Sequence, residues 1–124
     1  MPERLYSVDE ANALLPQLQP VLERIRQTEA VIAKDSGLAA VREKASQNGG
    51  GTPTVKTLAA SRQLQKDLTQ IAEWGIILRD PSIGLVDFLH QREGRTVCLC
   101  WKLGEPRVEW WHPIETGIAG RAHL

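Results

Sequence analysis

At 124 residues, with 42% hydrophobic and 24% charged side chains, the chain has the composition of one globular domain and not of a disordered segment. Its 15 basic side chains face 15 acidic ones, and the balance is also local, with ten of each in residues 1–80 and five of each in 81–124. No basic excess can release counterions from phosphates, no Lys/Arg run suits a membrane surface, and no apolar stretch nears the roughly 20 residues that span a bilayer. Neither nucleic acid nor membrane is therefore an expected partner.

The start, Met1-Pro2-Glu3-Arg4-Leu5-Tyr6, lacks the apolar core of a secretory signal. Cys98 and Cys100 are the only cysteines. On one strand they would point the same way about 7 Å apart, beyond disulfide reach. A reducing, cytoplasmic location is the expectation.

Ser7-Val8-Asp9-Glu10 has the form of a capping box, in which Ser7 and Glu10 satisfy each other's backbone donors. Behind it Val8, Ala11, Leu15, Leu18, Leu22 and Ile25 follow the 3-4 spacing of one helix stripe. Pro16 and Pro20 each remove a donor and crowd the preceding turn. The pattern predicts a short helix ending near Leu14, or a marked kink there, and a longer helix running into the mid-forties. Gln47 to Pro53, with three consecutive glycines, predicts a flexible linker. A second helix is expected through Leu64, Leu68, Ile71, Gly75 and Leu78, stopping at Asp80-Pro81. Two striped helices joined by a loop read as an antiparallel hairpin.

Beyond Pro81 the period changes to two. Leu85–Gln91, Thr96–Leu103 and Arg107–His112 are the strand candidates, separated by turns at Arg92–Arg95 and Gly104–Pro106. The fold class expected is α+β: a long antiparallel helical hairpin (7–80) packed on a small three-stranded antiparallel β-meander with its tail (84–124), in a single domain spanning 1–124. A two-residue loop at Glu93-Gly94 puts Asp87 opposite Cys100 and Val86 opposite Trp101. One face then carries Val86, Phe88, Val97, Leu99, Trp101, Leu103, Val108 and Trp110, and the helices cover it. Asp87, Cys98, Cys100, Glu109 and Trp111 share the other face.

Four blocks resemble a known family: Ser7-Val8-Asp9-Glu10-Ala11-Asn12-Ala13-Leu14-Leu15-Pro16, Gly84-Leu85-Val86-Asp87-Phe88, Leu99-Cys100-Trp101-Lys102-Leu103-Gly104-Glu105-Pro106 and Trp111-His112-Pro113-Ile114-Glu115-Thr116-Gly117-Ile118-Ala119-Gly120-Arg121. Together they are similar to the bacterial domain-of-unknown-function family numbered 2203. That family has no established activity, so the resemblance supports the fold, implies no catalytic residue and directs attention to the C-terminal third. The triple glycine is not part of its pattern.

Gly49 to Thr57 imitates a phosphate loop, but Val55 stands where glycine should precede the lysine, and no strand leads into it. Cys98, Cys100 and His112 could begin a soft-metal site, yet four closed ligands are not evident, and small buried filler is the commoner role of free cysteine. No metal or other cofactor is predicted. His90 and His112 are expected on one face, too far apart for easy co-ligation, and His112 reads first as a hydrogen-bonded core group. Glu105 is a candidate partner for Arg121 or His112. A polar cluster of Asp87, Glu105, His112, Glu115 and Arg121 is the candidate site, with a tail-pinning network as its structural counterpart.

Two functions follow. The first is a non-enzymatic binding or interaction module for a small molecule or protein of unknown identity. It would be a homodimer through its helices, because Leu14, Val21, Trp74, Ile76 and Ile77 exceed what one small sheet can cover. The second is a small hydrolase, with or without metal, built around His112. A pocket converging on His112 favours the enzyme, and a flat, fully paired tail favours the module.

Overall fold

The computed structural model describes the backbone of residues 4–46 and 54–124, with side chains described over 4–35 and 54–124. Two helices and five strands make an α+β fold: α1 (Val8–Ser46), α2 (Val55–Glu73), β1 (Ile76–Asp80), β2 (Leu85–Arg92), β3 (Arg95–Lys102), β4 (Trp110–Pro113) and β5 (Ala122–His123). The strands form one antiparallel sheet in sequence order, five-stranded and not the three-stranded meander expected, because Ile76–Asp80 and Ala122–His123 add an edge strand on either side. The expected linker at 47–53 lies outside the described residues.

The capping box is present: Glu10 N donates to Ser7 Oγ at 3.0 Å and Ser7 N to Glu10 Oε1 at 2.9 Å. It starts one continuous helix, not the short one expected to end near Leu14, and α1 runs through both prolines. Pro16 and Pro20 stand four residues apart on the exposed side. Their placement away from the core keeps the two lost helix bonds out of the packed interior, where they would cost most. The opposite side buries Ala11, Leu15, Leu18, Leu22 and Ile25, as their spacing requires.

The second correction concerns residues 74–80. The helix does not reach Asp80; it ends at Trp74, after which Gly75 takes φ +75° and its N–H returns to the Ala72 carbonyl. This is a left-handed helix stop, for which glycine has the lowest cost. A β-carbon there would also sit 2.9 Å from Arg4 Cβ. Ile76–Asp80 then pairs with β2, Ile76 opposite Phe88 and Ile77 opposite Asp87. Tyr6 continues that edge, its N–H bonded to the Leu89 carbonyl at 2.7 Å and its hydroxyl to the Trp74 carbonyl.

The β2–β3 hairpin has the expected register, Asp87 opposite Cys100 and Val86 opposite Trp101, with Glu93 and Gly94 both at positive φ. β4 departs from expectation by one residue: Trp111 lies opposite Leu99, and Trp110 opposite Cys100. Trp111 thus packs on the core side and Trp110 joins the cysteine face, the reverse of the sequence reading. Val108 is buried as expected, but from outside the ladder, where its N–H donates to Asn12 Oδ1 of α1 at 2.7 Å.

The core lies between α1, α2 and one sheet face, and joins Tyr6, Leu18, Leu22, Ile25, Ile71, Val86, Phe88, Leu99 and Trp101. Val21 and Ile76 are buried in it, and Leu14 and Trp74 pack against it, so most of the surplus assigned to a dimer contact is covered within the chain. A half-buried ion pair joins the two helices, with Arg24 Nε and Nη2 donating to the Asp67 carboxylate at 2.8 and 2.7 Å. No helix among the described residues is long and apolar enough to cross a membrane.

Candidate functional site

The helices cover one face of the sheet. On the other face the two-residue alternation of β2, β3 and β4 aligns Asp87, Cys98, Cys100, Trp110 and His112. His112 therefore does share the cysteine face, because the one-residue shift of β4 sets it opposite Cys98. His90 pairs with Val97 and points to the helix side, where its Nδ1 meets the Tyr6 carbonyl at 2.7 Å, so the two histidines do not share a face.

Asp87 is the hub. Its Oδ2 accepts from Arg79 Nε at 2.7 Å, and its Oδ1 lies 3.0 Å from His112 Nε2, with both the carboxylate and the imidazole 1% exposed. The other ring nitrogen, Nδ1, lies 2.7 Å from the Pro113 carbonyl oxygen. A carbonyl can only accept, so Nδ1 carries hydrogen. Cys100 is directly across from Asp87. Among the described residues, Asp87, Cys100 and His112 offer one donor atom each, all within 4.8 Å of one another.

The thiols are not activated. Burial pushes Cys100 up to about 11, with the Asp87 charge adding to it and Arg121 opposing. Cys98 is raised too, chiefly by burial and then by Asp87, against Arg79. Both are free.

Over this floor lies a pocket of about 380 Å³, bounded by Arg79, Leu85 and the segment Ile114–Ile118 that follows β4. Glu115 is on its wall and exposed. Thr116 holds the segment's turn, its N–H and hydroxyl both reaching the Pro113 carbonyl at 3.3 Å.

Glu105 and Arg121 form a second group. Arg121 Nη2 donates to Glu105 Oε1 at 2.6 Å, and the same oxygen accepts from the Lys102 N–H at 2.9 Å. Trp101 Nε1 donates to the Glu105 carbonyl at 3.2 Å. The Arg121 guanidinium also faces the Trp110 ring at 5.1 Å and reaches the Cys100 carbonyl at 3.4 Å. These contacts clip the tail to the end of β3, and Glu105 takes Arg121 and not His112. The five-residue cluster therefore resolves into Asp87, His112 and Glu115 at the pocket and Glu105 with Arg121 beside it.

Sequence reasoning missed Arg79, whose signal was available: with Ile76–Asp80 read as a strand, the only cation in it falls beside Asp87. It also left out the pocket wall at Ile114, Thr116 and Ile118, which no periodicity marks.

Neither the curated proteins nor the solved structures offer a match to this chain. The family described as "Uncharacterized conserved protein (DUF2203)" matches residues 4–124, nearly the whole chain, and the chain belongs to it.

Proposed function

We propose that this protein is a small-ligand-binding module and that the pocket over Asp87, Cys100 and His112 is its working site. One observation carries the reading: the pocket is floored by ionisable side chains that are otherwise buried. Groups of this kind are costly to bury, and ionisable side chains gathered under a cavity mark a candidate site. A volume of about 380 Å³ suits a small ligand.

Binding is favoured over unassisted hydrolysis by the same geometry. Both nitrogens of His112 already have partners, so neither is free to take a proton from a substrate. The Cys100 thiol, at about 11, is no nucleophile near neutrality.

The helix pair fits an antiparallel hairpin backing the site. Support comes from Tyr6 meeting Trp74, Arg24 meeting Asp67, and Ala30 and Lys34 sharing a groove with Thr54 and Thr57. Two free buried thiols agree with a cytoplasmic setting. Homodimer formation also belongs to this reading, now through the outer side of α2, where Leu58 and Leu68 remain exposed. It cannot run through a helix at Trp74–Leu78, since Ile76–Asp80 is a strand.

The test is a screen of small polar fragments against the isotopically labelled chain, read by amide chemical shifts. Perturbations clustering at Asp87, Cys100, His112 and Thr116, and abolished by I118W, are the expected result. Shifts scattered over the surface would defeat the proposal.

A further inference from the structure

We propose that Asp87, Cys100 and His112 bind a divalent transition-metal ion of the zinc class, through one carboxylate oxygen, the Sγ and the Nε2. This inference rests on the reading of the pocket as a binding site and names what that site takes.

The spacing comes first. Bonds of roughly 2.0–2.3 Å to oxygen, nitrogen and sulfur place neighbouring donors of a tetrahedral ion about 3.3–3.8 Å apart. Donor atoms that already lie within 4.8 Å of one another reach that arrangement by small side-chain rotations. The three residues come from three adjacent strands with fixed register, which supplies the rigidity a metal site needs.

The surroundings match the needs of each ligand. The Nδ1 hydrogen bond to the Pro113 carbonyl leaves Nε2 as the ligating nitrogen, the usual outer partner of a metal-bound imidazole. Arg79 holds Asp87 by Oδ2, so Oδ1 is the oxygen that turns to the ion. The ion would sit between Oδ1 and Nε2, which now meet at 3.0 Å, and the Cys100 thiol would lose its proton to solvent as its Sγ binds. A thiolate with an imidazole selects zinc, cobalt or a similar ion over magnesium or calcium. Charge also closes: a divalent cation with Arg79 balances Asp87, the Cys100 thiolate and Glu115 on the wall. Three protein donors beneath an open pocket leave the fourth position to water or to a ligand.

Cys98 lies outside this donor set and is the internal control. The full-length chain, freed of metal by chelation, is titrated with cobalt(II). One equivalent should produce a thiolate-to-cobalt charge-transfer band with the strong d–d absorption of a tetrahedral site, and zinc should displace it. C98S should retain the band, C100S should lose the charge-transfer component, and H112Q should lose the tetrahedral signature. Circular dichroism checks that each variant is folded. Saturating zinc should also raise the melting temperature of the wild type by at least about 5 °C. Absence of a cobalt band in the wild type, or its persistence in C100S, overturns the metal. The fragment screen separates the two readings: fragments in the pocket without cobalt binding defeat the metal alone, and neither kind of binding defeats both.

Discussion

Asp87 and His112 meet at 3.0 Å with both side chains 1% exposed, and Arg79 closes on the other Asp87 oxygen at 2.7 Å. Removing the carboxylate leaves a buried imidazole without its partner, whereas the half-exposed Arg79 guanidinium turns to water. In the metal-free protein D87A should cost about 2–3 kcal/mol, the range for a buried polar group left unpaired, with little added by the solvated Arg79. D87N should cost less, about 1–2 kcal/mol, because the amide can accept from Arg79 and donate to Nε2. Urea denaturation of both variants measures the difference. A loss under about 1 kcal/mol for D87A would show that the hub contributes little to the fold.

Thiol chemistry follows from burial. With Cys100 at about 11 and Cys98 also raised, the folded chain holds little thiolate at pH 8. For Cys100 the fraction is about one in a thousand, against about a quarter for an unperturbed cysteine of pKa near 8.5. A disulfide reagent should therefore modify Cys100 of the native, metal-free protein at least about a hundredfold more slowly than the same residue in the urea-unfolded chain. Comparable rates would mean that the cysteine face opens readily.

Gly75 is required by conformation and by space. Its φ of +75° costs an L-residue roughly 1–2 kcal/mol, and a β-carbon would sit 2.9 Å from Arg4 Cβ. G75A should lose about 1–3 kcal/mol of stability, whereas alanine at a glycine within a continuous helix would be stabilising. The sign of the change in melting temperature decides between the two.

Trp101, fully buried between sheet and helices, should cost about 3–5 kcal/mol when truncated to alanine. Its Nε1 bond to the Glu105 carbonyl also anchors the turn that holds Arg121. W101F should keep most of the packing while loosening the tail, visible as faster amide exchange at Arg121 and Ala122. Unchanged exchange there would show that the tail is held without the indole.

Why the sequence disclosed some of this and not the rest is visible at single residues. The α1 stripe and the β2–β3 register were legible because local spacing, a capping box and a two-residue turn determine them. The end of α2 was misread because Leu64, Leu68, Ile71, Gly75 and Leu78 keep a helical interval, while Gly75 stops the helix at positive φ. The frame of β4 was lost because residues 103–109 are held by Glu105 folding back on Lys102 and by Asn12 reaching Val108, bonds that periodicity cannot count. That single-residue error set His112 on the face away from the cysteines, although the candidate cluster already joined it to Asp87.

The outer side of α2 makes the final case. Leu58 and Leu68 are 45% and 40% exposed, and Leu64, Leu68 and Ala72 line a shallow groove at helical intervals with Ser61 and Gln65. Small and apolar residues at this spacing allow a second helix to approach closely, and a two-fold pairing of α2 with its copy would cover them. Sedimentation of the wild type should give a species of about twice the 13.8 kDa chain mass. L68D should yield a monomer whose secondary structure is unchanged, since Leu68 contributes nothing to the buried core. A concentration-independent wild-type monomer removes the dimer. A dimer that survives both L58D and L68D moves the contact to an open edge of the sheet, at β1 or β5.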